Sequence, residues 1–346
     1  MSTFTEYLSR FSESDWLSSI EELLPSIHEV DRNAVQIWFR FYPLSLQQFA
    51  AAAPDQAELV RGLALKGQFE LKDQIDTSHH FLYGHRFWKT VRECILREVQ
   101  EFTAERNPGL LETIKHVSIC TAEKRKADRG LTNAIAAVGL MTLNQVGLEA
   151  FQAASGEIRE PAGIMKKSPD AIVAERAKDD SQGLLGFLRT VDKKFSVTFS
   201  GAADKGKFPI MLDEEIASAS QKDRSQKWQA RDERCWEGPV PIECTSASCG
   251  TCWVGVLGGQ EKLTDVKPRE RRAMKVFGYN QPDTEKPFLR LACQARAEGN
   301  VTIVIPPWNG VFGKKIYGNI DELELEPVTT SAKKLREIVK TATAEE

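Results

Sequence analysis

Three cysteines fall within nine residues, Cys244, Cys249 and Cys252, spaced C-x4-C-x2-C, and a fourth, Cys293, returns after a gap of 40 residues. No single helix face or strand face presents side chains at that spacing, because neighbours on one face recur every three or four residues in a helix and every two in a strand. The segment must therefore be a loop wrapped around something, and the fold must bring residue 293 back to it. The residues between the cysteines are Thr245, Ser246, Ala247, Ser248, Gly250 and Thr251, all small. Small side chains let the backbone N–H groups approach whatever the loop encloses.

Thiolates are soft anionic ligands that select iron–sulfur clusters, zinc or cuprous copper. Four-cysteine zinc sites usually pair two C-x2-C knuckles, and here only one such knuckle occurs. The spacing is instead that of plant-type [2Fe–2S] centres. Zinc and an unliganded set of buried thiols stay as alternatives. The chain has seven cysteines in all, an odd number unevenly spread over 346 residues, which does not describe a secreted disulfide framework. Cys94 and Cys120 lie in apolar helical contexts and read as core thiols.

Length and composition bound the rest. At ~150 residues per domain, a chain of this size holds about two domains. Hydrophobic residues make up 41% and the net charge is −3, so sizeable cores can form, a disordered chain is excluded, and a dedicated nucleic-acid binder is not expected. No apolar run approaches the ~20 residues of a membrane span, and Met1 to Glu6 shows no signal peptide. These features set the expectation of a cytoplasmic protein without a transmembrane segment.

The periodicity divides the chain. Residues 1–156 read mainly as helix: Ser45-Leu46-Gln47-Gln48 has the form of a capping box, Pro54-Asp55 opens a helix, and Phe87, Val91, Ile95, Val99 and Phe102 form one apolar stripe ended by Asn107-Pro108-Gly109. A further apolar stretch runs from Ala134 to Phe151. Residues 157–192 are charged and turn-rich, and read as a linker or exposed connection. From residue 193 the period is two: Phe195, Val197, Phe199 and then Phe208, Ile210, Leu212 predict a hairpin. A short helix starting at Asp213, the cysteine loop, a strand over Trp253–Leu257, a helix over Pro268–Phe277 and strands near Phe288–Leu291 and Val301–Ile305 follow. Residues 317–346 read as a tail with a short helix.

Cys244-Thr245-Ser246-Ala247-Ser248-Cys249-Gly250-Thr251-Cys252 and Leu289-Arg290-Leu291-Ala292-Cys293-Gln294 resemble a [2Fe–2S] ferredoxin domain of plant or adrenodoxin type. The resemblance covers about residues 193–308. It implies a β-grasp fold for a domain of residues 193–316, and an α+β class for the whole chain. It also implies that Cys244 and Cys249 hold the outer iron of a [2Fe–2S] cluster and Cys252 and Cys293 the inner one. There are three departures. The first gap has Ala247 and no glycine, so the tight turn must be made differently. The gap before Cys293 is long and carries a Pro-Arg-Glu-Arg-Arg helix, more like bacterial adrenodoxin-type or cyclase-linked ferredoxin domains. Lys227 to Pro241, with Cys235 and Trp236, is an insertion that covers the cluster or forms a docking surface.

Such a centre carries one electron and implies donor and acceptor proteins as partners. Residues 193–316 hold 20 Lys+Arg against 15 Asp+Glu, a net of +5, and the remainder nets −8. An acidic docking face is thus expected on a partner, or on the chain's own N-terminal half. Alternatively Arg269, Arg271, Arg272 and Lys275 are a solvated helix face. An enzymatic role is not indicated: Arg40-Phe41-Tyr42 superficially matches a flavin motif, but in a helical context and with no Gly-x-Gly-x-x-Gly loop after a strand. His79, His80 and His85 are three of the five histidines and have the chemistry to bind haem or a second metal, though clustered histidines more often serve packing. The leading expectation is one-electron transfer, with the helical part serving docking or dimerisation. The alternative is a redox-sensing protein whose cluster state controls that helical part. A homo-oligomer is compatible with either.

Overall fold

A computed structural model describes residues 3–63, 69–103, 108–178, 193–201, 205–278 and 284–317. The chain is α+β and divides into two compact units. The first comprises residues 1–48 and 70–175, and the second residues 49–69 and 176–346. This division differs from the expected boundaries: residues 49–69 group with the cysteine-bearing unit. The segment expected to be a linker or exposed connection from residue 157 is mostly exposed over its described part and holds a 3-10 turn (Gly163–Lys166) and a helix (Pro169–Ala177). Its remaining part, 179–192, and the tail helix expected after residue 317 lie outside the described residues.

The helical elements are α1 (Thr3–Leu8), α2 (Glu13–Leu23), α3 (Glu29–Phe41), α4 (Leu44–Ala52), α5 (Gln56–Leu63), α6 (Trp88–Glu101), α7 (Leu110–Arg125), α8 (Asn133–Ala153) and α9 (Pro169–Ala177). In α3, Glu29 and Asp31 occupy the first turn and Arg40 the last, each complementing the helix dipole. Its buried side chains Val30, Ala34, Ile37, Trp38 and Phe41 recur at helical spacing. The apolar stretch beginning at Ala134 is α8, buried from Asn133 to Leu143. Arg129–Ala153 is long and apolar enough by composition to cross a membrane, yet 67% of its most apolar window is buried inside the protein. The expected capping box at Ser45 is not used: α4 begins at Leu44, and the Ser45 N–H donates to Glu13 Oε2 (3.1 Å). Asp55 does cap α5, its Oδ1 accepting the Glu58 N–H at 3.0 Å.

Cys94 on α6 and Cys120 on α7 are not free core thiols. They are joined in a disulfide with Cα atoms 6.1 Å apart. The apolar stripes of α6 and α7 pack against each other, and that packing sets the two β-carbons side by side, a relation that separate helical stripes do not reveal.

The second unit holds a five-stranded mixed sheet. Its strands are β1 (Lys194–Ser200), β2 (Lys205–Met211), β4 (Trp253–Gly258), β5 (Leu289–Leu291) and β7 (Val301–Val304), in the order β2-β1-β7-β4-β5. β1 and β2 form the expected hairpin, with Val197 opposite Phe208. β1 and β7 are parallel; the other pairs are antiparallel. Phe195, Val197, Phe199, Phe208 and Ile210 are buried, but Leu212, next in the alternation, is 41% exposed, because β2 ends at Met211 and the chain turns at Asp213. The expected helix from Asp213 starts later: β3 (Glu214–Glu215) pairs first with β6 (Arg296–Ala297), and α10 (Ile216–Ser220) follows. α11 (Trp228–Arg231), α12 (Pro268–Phe277) and α13 (Gly313–Tyr317) complete the unit.

Candidate metal centre

The sheet register explains how residue 293 returns to the cysteine loop. β4 starts directly after Cys252 and pairs antiparallel with β5, Trp253 opposite Leu291. The ladder continues one step, the Ala292 N–H donating to the Cys252 carbonyl at 2.9 Å. Forty intervening residues are thereby closed, and Cys252 and Cys293 become neighbours.

Residues 244–252 follow an irregular path with two residues in the left-handed region, Ala247 (φ +58°) and Gly250 (φ +71°). The turn expected to need a glycine is thus made by an alanine, which accepts backbone strain there. Gly250 has a second constraint: a β-carbon on it would lie 3.0 Å from the ring of Phe277, the last residue of α12. Gly310 closes the loop from the other side, where a β-carbon would stand 2.6 Å from the Gly250 carbonyl oxygen and 2.5 Å from the Trp253 ring. Trp253 in turn donates to the Trp308 carbonyl (3.1 Å), and the two indole rings meet edge-on at 4.6 Å.

The four thiols meet in two pairs. Cys249 hydrogen-bonds to Cys244, which lowers the Cys244 pKa, and the Ser246 and Ser248 backbone N–H groups act in the same direction. The Cys249 thiol, which donates in that pair and is itself desolvated, is pushed up. Cys252 is likewise raised by its hydrogen bond with Cys293 and by burial. The Thr251 N–H and hydroxyl point at Cys249. Cys244, Cys252 and Cys293 are at most 1% exposed, while Cys249 is half-buried. Among the described residues, no group of three or more His, Cys, Asp or Glu side chains converges on one point. A tetrahedral zinc site needs four ligands around one ion, whereas a two-iron cluster takes two cysteines per iron and supplies its own bridging sulfides. The donor set, its pairing, and the amides directed at sulfur all fit the two-iron group.

Two features around the cysteines were not foreseen. Glu270 on α12 and Arg290 on β5 form a two-fold buried ion pair three residues before Cys293. Gln294 Nε2 donates to the Thr245 carbonyl (3.1 Å) and the Cys293 carbonyl (2.9 Å), and lies 3.6 Å from Cys293 Sγ. Gln294 sits inside the motif that carries Cys293, and Glu270 inside the Pro-Arg-Glu-Arg-Arg string, where the one acid is the buried residue.

Cys235, in the insertion, is separate from the four. Its buried thiol donates to the Pro239 carbonyl (3.2 Å), and burial pushes its pKa up, keeping it protonated. The insertion is pinned by Arg234, which pairs with Asp232 (2.8 Å) and donates to the Pro306 carbonyl (2.8 Å).

In the helical unit, His79 and His85 meet Nδ1 to Nδ1 at 3.0 Å. The partners assign every proton. His79 Nε2 faces the Ile75 carbonyl (3.2 Å) and so carries hydrogen, while His85 Nε2 accepts the Arg159 N–H (2.9 Å). Hence His85 Nδ1–H donates to His79 Nδ1. All four ring nitrogens are in use, which leaves this pair no lone pair for a metal or haem. Burial drives both pKa values down, that of His85 to about 4. His80 is turned away, its Nδ1 on the Thr77 carbonyl (2.7 Å).

Residues 221–298 match the family model of the 2Fe-2S iron-sulfur cluster binding domain. The protein thus carries a [2Fe–2S] cluster-binding domain, joined to a helical part of unknown family. No curated protein and no solved structure matches the chain.

Proposed function

We propose that Cys244, Cys249, Cys252 and Cys293 hold the [2Fe–2S] cluster, the first two on one iron and the last two on the other, and that the protein is a low-potential one-electron carrier. The observation that carries this reading is the meeting of the four thiols in two pairs, with backbone amides turned toward them. A bound cluster of this type takes up and releases a single electron. The chain's own residues supply its setting. The loop amides offset negative charge at sulfur, and Trp253, Phe277 and Gly310 exclude water from three sides. Cys249, with exposed Thr245 and half-buried Ser246 and Ser248, leaves one edge of the loop open to solvent. An electron would pass to a partner across that edge.

The partner face is set by charge. Lys267, Arg269 and Arg272 are exposed on and just before α12, whose last residue packs on the cluster loop. This distribution, with the net charge of +5 over residues 193–316, suits an acidic docking surface and makes association salt-dependent. The ligand assignment is tested by single serine substitutions. Cys244→Ser, Cys249→Ser, Cys252→Ser and Cys293→Ser should each lose or destabilise the visible charge-transfer absorption of the purified protein, while Cys235→Ser should retain it. Equal effects at Cys235 and Cys293 would overturn the assignment.

A further inference from the structure

We propose that Gln294 sets the reduction potential of the centre, acting as a clasp between the cluster loop and the returning ligand; this rests on the ligand assignment above. The side chain of Gln294 is half-buried, three residues past the end of β5. Its amide nitrogen reaches two carbonyl oxygens from different parts of the chain, Thr245, which follows the first cysteine, and Cys293, the last cysteine. Two carbonyls can only accept, so the nitrogen must face them and the orientation of the amide is dictated by its neighbours. The same nitrogen stands 3.6 Å from Cys293 Sγ, so the hydrogen turned toward the Cys293 carbonyl is shared with that sulfur in a three-centre contact.

That position has an electrostatic consequence. Reduction adds one negative charge, spread over iron and sulfur. A donor aimed at a cysteine sulfur stabilises the reduced form more than the oxidised form and raises the potential. The other amides near the cysteines belong to the backbone and persist in most variants. Gln294 is a side-chain donor that bridges both ligand segments, so its contribution can be removed or inverted without rebuilding the loop. It is a positioning residue and a tuning residue at once: the Thr245 bond holds the loop against the return segment, and the Cys293 contact supplies positive potential at sulfur.

The experiment is a mediated redox titration, with dithionite as reductant, of full-length wild type, Gln294→Leu, Gln294→Glu and Gln294→Lys, with iron and sulfide measured on each sample. Leu keeps the bulk and removes the donor. Glu replaces the donor with a negative charge. Lys restores a donor and adds a positive charge. The expected order of potentials is Gln294→Glu lowest, then Gln294→Leu, then wild type, with Gln294→Lys at or above wild type. A role in packing alone would move the three variants together, and that outcome overturns the proposal. If Gln294→Glu fails to load iron, the comparison of Leu with Lys decides. Unchanged potentials in fully loaded variants would defeat the role of Gln294 and leave the ligand assignment standing. Wild-type protein without iron would defeat both.

Discussion

Glu270 and Arg290 face each other with both partners out of solvent: Arg290 Nε lies 2.8 Å from Glu270 Oε1 and Arg290 Nη2 lies 2.9 Å from Oε2. Their side chains are 0% and 1% exposed. The same Oε1 accepts the Leu291 N–H at 2.9 Å, and Arg290 Nη1 donates to the Thr264 carbonyl at 2.9 Å. One carboxylate thus ties α12 to the strand that ends two residues before Cys293. Removing one member of a buried pair leaves the other charge uncompensated and costs ~3–5 kcal/mol. Glu270→Ala should lose about that much in denaturant unfolding and should release iron faster than wild type. Glu270→Gln, which keeps an acceptor oxygen, should lose less. A Glu270→Ala protein as stable as wild type would mean the pair does not brace this segment.

Ala247 occupies a left-handed conformation, φ +58°, in the first cysteine gap. That conformation costs an L-residue ~1–2 kcal/mol, and glycine would relieve it against an added unfolded-state entropy of ~0.5–1 kcal/mol. Ala247→Gly is therefore expected to be neutral or to stabilise by up to about 1.5 kcal/mol. Ala247→Val, β-branched and buried, should destabilise strongly. The unfolding midpoints of the two variants check this; a stable valine variant would contradict the observed turn.

The histidine pair gives the helical unit a pH response. An unfolded histidine titrates near ~6.5, whereas His85 in the fold is depressed to about 4. The unfolded state therefore binds the proton first. The stability the neutral form contributes is complete above pH ~6.5 and is lost as pH falls toward 4, by roughly 3 kcal/mol from His85 alone. The depressed His79 acts in the same direction. Urea unfolding followed by far-UV circular dichroism should show lower stability at pH 5 than at pH 7.5. His85→Gln should flatten that dependence, and an equal slope in the variant would contradict the assignment.

The Cys94–Cys120 disulfide predicts a thiol count. Denatured, metal-free protein alkylated without reductant should carry five labels, on Cys235, Cys244, Cys249, Cys252 and Cys293, and seven labels after reduction. A bridge closing a loop of 26 residues stabilises by ~3 kcal/mol, so Cys94→Ala with Cys120→Ala should lower stability by about that amount. Disulfides persist mainly in oxidising compartments. Seven labels without reductant would remove the bridge and favour a reducing location.

The cysteine loop, the hairpin and the Pro268–Phe277 helix were legible because each rests on local pattern: ligand spacing, alternation, or a proline start with helical periodicity. What was not legible depends on pairs brought together from afar. The Cys94–Cys120 bond follows from how two helices pack, and the His79–His85 pair from a turn that points one ring at another. Glu270 reads as one acid in a basic string until β5 is laid beside α12. Gln294 reads as a spectator after a cysteine until the loop carbonyl of Thr245 is in reach. Ala247 shows in the sequence only as the absence of a glycine, and its left-handed backbone comes from how the loop is folded.

The central claim, a two-iron cluster held by paired thiols, is tested most directly by iron and acid-labile sulfide analysis of anaerobically purified protein, joined to EPR after dithionite reduction. Two irons and two sulfides per chain and a rhombic S = 1/2 signal in the reduced state are expected. One zinc per chain, or a colourless, EPR-silent protein unchanged by dithionite, would contradict it.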